Sequence, residues 1–178
     1  LTPTAAYTSN TNAGTATASY TYAGDANHNG SADSKTFAIG QASSTTVVTV
    51  SNATYDGSAH GGTAAVTGAG GLNSPLAVTY AGVAPTVYAA STTAPTNAGT
   101  YTASASFAGD ADHSASNDSK EFTIAKAAST TTVTIVGGPF TYTGSPITPA
   151  TVTVTGAGGL SLTPTAAYTS NTNAGTAT

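Results

Sequence analysis

Between Thr100 and Phe107 the chain alternates without a break: Tyr101, Ala103, Ala105 and Phe107 fall on one face, and Thr102, Ser104 and Ser106 on the other. A period of two is the mark of a strand buried on one side. Ala16, Ala18, Tyr20 and Tyr22 repeat the phase earlier in the chain. Thr46–Val50, Thr63–Thr67 and Leu76–Tyr80 predict further strands, and Glu121–Ile124 a closing one with Phe122 and Ile124 inward, matching Phe37 and Ile39. Turn residues separate these runs at Asp56-Gly57, Gly68-Ala69-Gly70-Gly71, Asn97-Ala98-Gly99 and Gly109-Asp110. Gly, Asn and Asp supply the backbone conformations that tight turns need. No stretch carries a 3.6-residue apolar period, so the expected class is all-β, an antiparallel sandwich or barrel of short strands. The predicted inward set is Val48, Val50, Val66, Tyr101, Ala103, Phe107, Phe122 and Ile124 in one unit. In the other it is Val133, Ile135, Val152, Val154, Tyr20, Tyr22, Phe37 and Ile39.

The strand pattern is itself repeated. LTPTAAYTSNTNAGTAT at 1–17 recurs letter for letter at 162–178. Asn12–Ser51 aligns without gaps with Asn97–Val136, and TYDGSAHGGTAAVTGAGGL at 54–72 corresponds to TYTGSPITPATVTVTGAGGL at 141–160. Two repeat types therefore alternate, one lengthened between its GAGGL and NAGT signatures by part of the stretch 73–96. Three segments follow: 1–42, the C-terminal half of a short-type unit; 43–126, a complete long-type unit; and 127–178, the N-terminal half and part of the next short-type unit. The chain is expected to be an excerpt or processed product, one window onto a continuous array whose split units are completed by a neighbour, most simply by further copies in the same polypeptide. Strand donation between separate subunits is the alternative.

Composition narrows the function classes. Only 6% of residues are charged, the net charge is −4, and Lys35, Lys120 and Lys126 are the whole basic complement. Nucleic-acid binding needs clustered Lys and Arg to displace phosphate counterions, so no nucleic-acid partner is expected. No apolar run approaches the ~20 residues of a membrane-spanning helix, and no signal-peptide pattern is present. Cysteine is absent, which excludes a disulfide framework but not secretion. Hydrophobic residues at 39%, low net charge and regular alternation argue against disorder.

TYDGSAHG, PTNAGTYTASASFAGDADHS and KEFTIAKA, taken together, closely resemble the MBG-type (YDG) bacterial immunoglobulin-like repeats of long secreted adhesins and surface proteins. Through the two repeat types the resemblance covers essentially the whole chain. The short type departs from it at Tyr142-Thr143-Gly144, where the family has Tyr-Asp-Gly. The resemblance implies tandem immunoglobulin-like antiparallel β-sandwich repeats with a stalk or adhesive role, and it brings no catalytic residues.

Candidate chemistry is sparse. Asp110, Asp112 and Asp118 in one loop region, and Asp25 and Asp33 in its counterpart, could gather Ca²⁺ through alternating oxygens. No Glu closes either loop in the bidentate manner Ca²⁺ favours, and Asp is an ordinary hairpin residue. No metal or cofactor is expected, and stability is expected to be independent of Ca²⁺. His28 and His113 occupy equivalent positions and His60 stands alone; zinc would need more convergent ligands, so all three read as surface histidines. No GxSxG elbow accompanies the abundant Ser, and GAGG at 68–71 and 156–159 leads into strand-like sequence where a phosphate loop would lead into a helix. Glu121 beside Lys120 is a weak candidate for a Lys–Asn cross-link site. Asn29, Asn52 and Asn117 lie in Asn-x-Ser/Thr sequons.

The expected function is therefore non-catalytic: a structural repeat segment of an extracellular, cell-surface fibre or stalk, with copies of itself as end-to-end partners. The low charge lowers the repulsion that keeps free domains apart. The alternative is an adhesin module gripping a glycan or host surface through loops, with Tyr80 and Tyr88 of the longer repeat as its aromatic candidates.

Overall fold

A computed structural model of the chain describes residues 3–178. Among the described residues all regular structure is strand apart from two single turns of 3₁₀ helix at 69–71 and 157–159. Strands β1 (Ala6–Thr8), β2 (Gly14–Tyr22) and β3 (Ser31–Ile39) form an antiparallel sheet in that order. In the middle of the chain β4 (Ser44–Thr49), β6 (Thr63–Gly68) and β7 (Asn73–Leu76) make one sheet. Its mate runs β5 (Ala53–Thr54), β10 (Ser116–Ala125), β9 (Gly99–Phe107), β8 (Thr79–Gly82). Finally β11 (Ser129–Ile135), β12 (Ala150–Gly156) and β13 (Leu160–Leu162) form a three-stranded antiparallel sheet.

The two central sheets share one core. Val48, Ala64 and Val78 pack with Tyr80, Tyr101, Ala103, Ala105, Phe122 and Ile124, all buried. The Tyr101 and Phe122 rings lie 5.6 Å apart, and Tyr80 meets Phe122 edge-on at 6.2 Å. The predicted phase of β9 holds: Tyr101, Ala103 and Ala105 are buried, whereas Thr102, Ser104 and Ser106 are half-buried or exposed. Phe107, the last residue of β9, and Val50, just beyond β4, are only half-buried.

Leu76–Tyr80, expected to be one strand, is two. β7 pairs with β6, and β8 pairs with β9 in the opposite sheet, so the chain changes sheets at Ala77 and Val78. Leu76, Val78 and Tyr80 all keep facing the core across this step. The alternation is unbroken because both sheets face the same interior, so periodicity cannot register the crossing. β5 carries no such pattern; it is set by its parallel pairing with Ile124 and Ala125 of β10.

One lateral seam between the sheets is closed by side chains. β4 and β10 run alongside each other without a ladder. Asp118 accepts a hydrogen bond from the Val48 N–H at 2.9 Å, and Ser116 contacts the hydroxyls of Ser44 (2.7 Å) and Thr46 (2.8 Å). A buried strand edge needs such partners for its backbone groups.

The outer sheets have no facing layer. Val133 and Ile135 on β11 are 59% and 57% exposed, and Tyr20 and Phe37 are both 42% exposed. Val152, Val154, Tyr22 and Ile39 are half-buried. The inward set expected for the second unit is thus exposed or half-buried in the isolated chain, because its two sheets lie at opposite ends of the sequence and do not pair.

Candidate functional site

The Asp-rich turns are built alike. At Asp110 the turn closes with Asp110 N donating to His113 O (3.0 Å), and the Asp110 carboxylate accepts from the backbone of Asp112 and His113. Asp25 repeats this with His28 O (2.9 Å) and Asn27 N (2.8 Å). Gly109 and Gly24 precede these turns with φ of +87° and +90°, and in each case a Cβ would meet the backbone across the turn. This left-handed conformation favours glycine.

The carboxylates do not converge on a cation position. Asp118 lies on β10, bonded to Val48 N, and Asp33 lies on β3, bonded to Ser34 N and Lys35. Asp112 reaches across the unit junction to Ala13 N at 2.7 Å. Among the described residues no three His, Asp or Glu side chains group as a metal site. The Asp25 carboxyl is held down to about 2 by the Tyr22 hydroxyl, then by the Asn27 backbone and the His28 ring.

His113 departs from the surface-histidine reading. Its side chain is 12% exposed, against 70% for His28. Nδ1 lies 2.9 Å from the Asp110 carboxylate, and Nε2 lies 2.9 Å from the carbonyl of Ala69 in the GAGG turn. Both neighbours only accept, so both contacts are hydrogen bonds when the ring is in its imidazolium form. The Ala69 carbonyl first, and then Asp110, raise its pKa above the ordinary histidine value. His113 thereby ties the β9–β10 turn of one sheet to the GAGG turn of the other. The equivalence of His113 with His28 carries no sign of this latch, because its partner Ala69 lies far away along the chain.

The aromatic candidates point inward. Tyr80 is buried and its hydroxyl accepts from Gly62 N at 2.8 Å. Tyr88 packs edge-on against Tyr101 and donates to Thr93 O at 2.8 Å. Of the sequon residues, Asn29 and Asn117 are exposed, and Asn52, also exposed, accepts from Thr123 N at 2.8 Å. Glu121 is exposed on the outer face of β10.

The most developed surfaces are the junctions between units. Residues 40–43 alone separate β3 from β4, and 126–128 separate β10 from β11. At the first junction Gln41 Nε2 donates to Asp110 O at 2.8 Å, and Ala42 forms a parallel bridge with His113. At the second, the Tyr55-Asp56-Gly57 turn presses on the Gly158 turn. A Cβ on Gly57 would lie 2.8 Å from the Gly158 Cα, and one on Gly158 would overlap the Tyr55 hydroxyl.

Beside β11 and β12 lies a cleft of about 700 Å³ lined by Val133, Ile135, Phe140, Tyr142, Val152 and Tyr168, among others. Compared with known proteins, the chain matches no protein-family model, no curated protein and no solved structure.

Proposed function

We propose that this chain is a non-catalytic structural segment of an extracellular fibre or cell-surface stalk built from tandem immunoglobulin-like domains of the MBG (YDG) type. The observation that carries the reading is the pair of junctions. Successive units are joined by only a few residues: at the first junction Gln41 and Ala42 are bonded to the next unit, and at the second the Tyr55 turn is seated on the Gly158 turn. A flexible linker would be Gly/Ser-rich and unbonded; short bonded junctions suit a spacer that must hold its length. The exposed surface carries few charges to oppose packing along such an array.

The adhesin alternative loses its named aromatics, since Tyr80 and Tyr88 are spent inside the long-type unit. Antibody raised against residues 43–126 provides the test on cells that make the protein. Labelling of intact, unpermeabilised cells along filaments or stalks is the expected result. Labelling only after permeabilisation would overturn the extracellular reading, and labelling confined to a distal tip would favour the adhesin.

A further inference from the structure

Among the described residues, every hydrogen bond that joins 1–42 to the central unit lands on one short turn, Asp110–Ser114, between β9 and β10. Asp112 Oδ1 accepts from the Ala13 N–H at 2.7 Å, and the Asp112 carbonyl accepts from Ala42 N at 2.8 Å. Gln41 Nε2 donates to the Asp110 carbonyl at 2.8 Å, and Ser114 N donates to the Ala42 carbonyl at 2.9 Å. The linker and the Asn12-Ala13-Gly14 turn are thus gripped by the same residues. The joint can be no stiffer than this turn.

Two bonds fix the turn to the opposite sheet of its own unit. Ser44 Oγ donates to the Ser114 carbonyl at 2.7 Å, a contact between neutral groups. The other runs through His113, whose Nε2 lies 2.9 Å from the Ala69 carbonyl while Nδ1 lies 2.9 Å from the Asp110 carboxylate. The ring is held closely: a Cβ on Gly68 would come within 3.0 Å of its Cδ2, and the side chain is 12% exposed. Water has little access to replace a lost bond there. Asp110 and Asp112, both on the turn itself, are the charged groups that face the ring. The Gly68–Leu72 turn, and Ala13, Gln41, Ala42 and Ser44, bring none.

We propose that His113 is a pH-sensitive pin in the joint between 1–42 and the central unit, rigid when the ring is an imidazolium and loosened when the ring is neutral. This deepens the tandem-array reading and rests on it for taking 1–42 as the end of a preceding unit. The imidazolium donates to Asp110 and Ala69 together. Once a proton passes to solvent, one N–H remains, and one of the two acceptors faces a lone pair. The turn is then released from the Gly68–Leu72 turn, and the preceding unit moves with it. Both acceptors favour the charged ring, so the joint is firm below the ordinary histidine value of about 6.5 and loosens as pH rises through the higher folded value. An array with this pin in each long-type unit holds its extension below that value and bends more readily above it.

The test is the width of a spin-label distance distribution across the joint in the full chain. The chain has no cysteine of its own, so Ser34→Cys and Thr123→Cys, both exposed, carry the labels. Between about pH 6 and about pH 9, either side of a raised histidine value, the wild-type distribution should broaden about 1.5-fold or more, with the midpoint at which the His113 ring signals titrate by NMR. His113→Gln does not titrate there and should keep one width throughout. Asp112→Ala removes the Ala13 anchor without touching either ring bond, and should be broad at both extremes. The melting transition of the central unit checks that each variant folds. A wild-type width that stays constant while the His113 ring titrates would overturn the proposal. So would the same broadening in His113→Gln, a narrow distribution in Asp112→Ala, or broadening that appears only as the central unit melts. Cell-surface labelling is indifferent to all of these outcomes, so the pin can fall without the extracellular reading.

Discussion

Phe122 and Phe37 occupy the same repeat position in two environments, and truncating each to Ala separates packing from sequence. Phe122 is 2% exposed and touches two aromatic rings. Its removal leaves a cavity between two sheets that cannot easily close, at a cost of about 3–5 kcal/mol. A unit the size of 43–126 has a total stability of roughly 4–12 kcal/mol at typical values per residue. With a urea dependence of about 1–2 kcal/mol per molar, Phe122→Ala should lower the midpoint by roughly 1.5–5 M, or unfold the unit outright. Truncating Phe37, on an unfaced sheet and in contact with Tyr7, should cost about 1 kcal/mol or less. Hydrogen exchange of β2–β3 and β9–β10 peptides across a urea series reads the two units separately. Losses within about 0.5 kcal/mol of each other would refute the assignment of the core to the β4-β6-β7 and β5-β10-β9-β8 pair alone.

Tyr80→Phe keeps the ring and removes the bond to Gly62 N, so the central unit should lose about 1 kcal/mol in urea unfolding, with Gly62 and Thr63 amides exchanging faster. The His113 latch gives a pH signature. Its folded pKa is raised, so its contribution is fully present below the unfolded value of about 6.5 and disappears as pH climbs through the folded value. The melting temperature of the wild type should fall over that alkaline window, and that of His113→Gln should not. On the acid side, Asp118 is held below its ordinary pKa, first by Val48 N–H, so its contribution is lost as pH falls from the ordinary carboxylate value through the folded one. Asp118→Asn, which keeps an acceptor for Val48, should flatten the acid limb of the same melting curve. Chelator should leave the melting temperature unchanged, and a large drop would reinstate Asp110, Asp112 and Asp118 as cation ligands.

The alternation in Gly99–Phe107 and in Glu121–Ile124 was legible because one face of each strand is buried every second residue, whereas the start of β10 at Ser116–Asp118 reads as loop because its residues are polar on both faces. The Asp-x-Asn/Asp-His turns were legible as turns, since Asx bonding is local. The His113 latch, the Asp118 seam and the sheet change at Ala77 were not, because each depends on a partner that local pattern does not name.

The duplicated segment marks the limit. Ser9 and Ser170 share a positive φ near +55°, and Thr169 and Thr178 exchange backbone bonds where Thr8 and Thr17 pair, so the local turn is a property of the letters. Yet Ala6–Thr8 is a strand and the same residues at 167–169 are not. The rungs of β1 are completed by Ala18 and Ser19, which lie outside the repeated segment. Sequence alone set the turns, the strand phase and the residues fit for a core. Which of those residues are buried was decided by where a facing sheet exists, because burial is a relation between two surfaces and a strand carries only one of them.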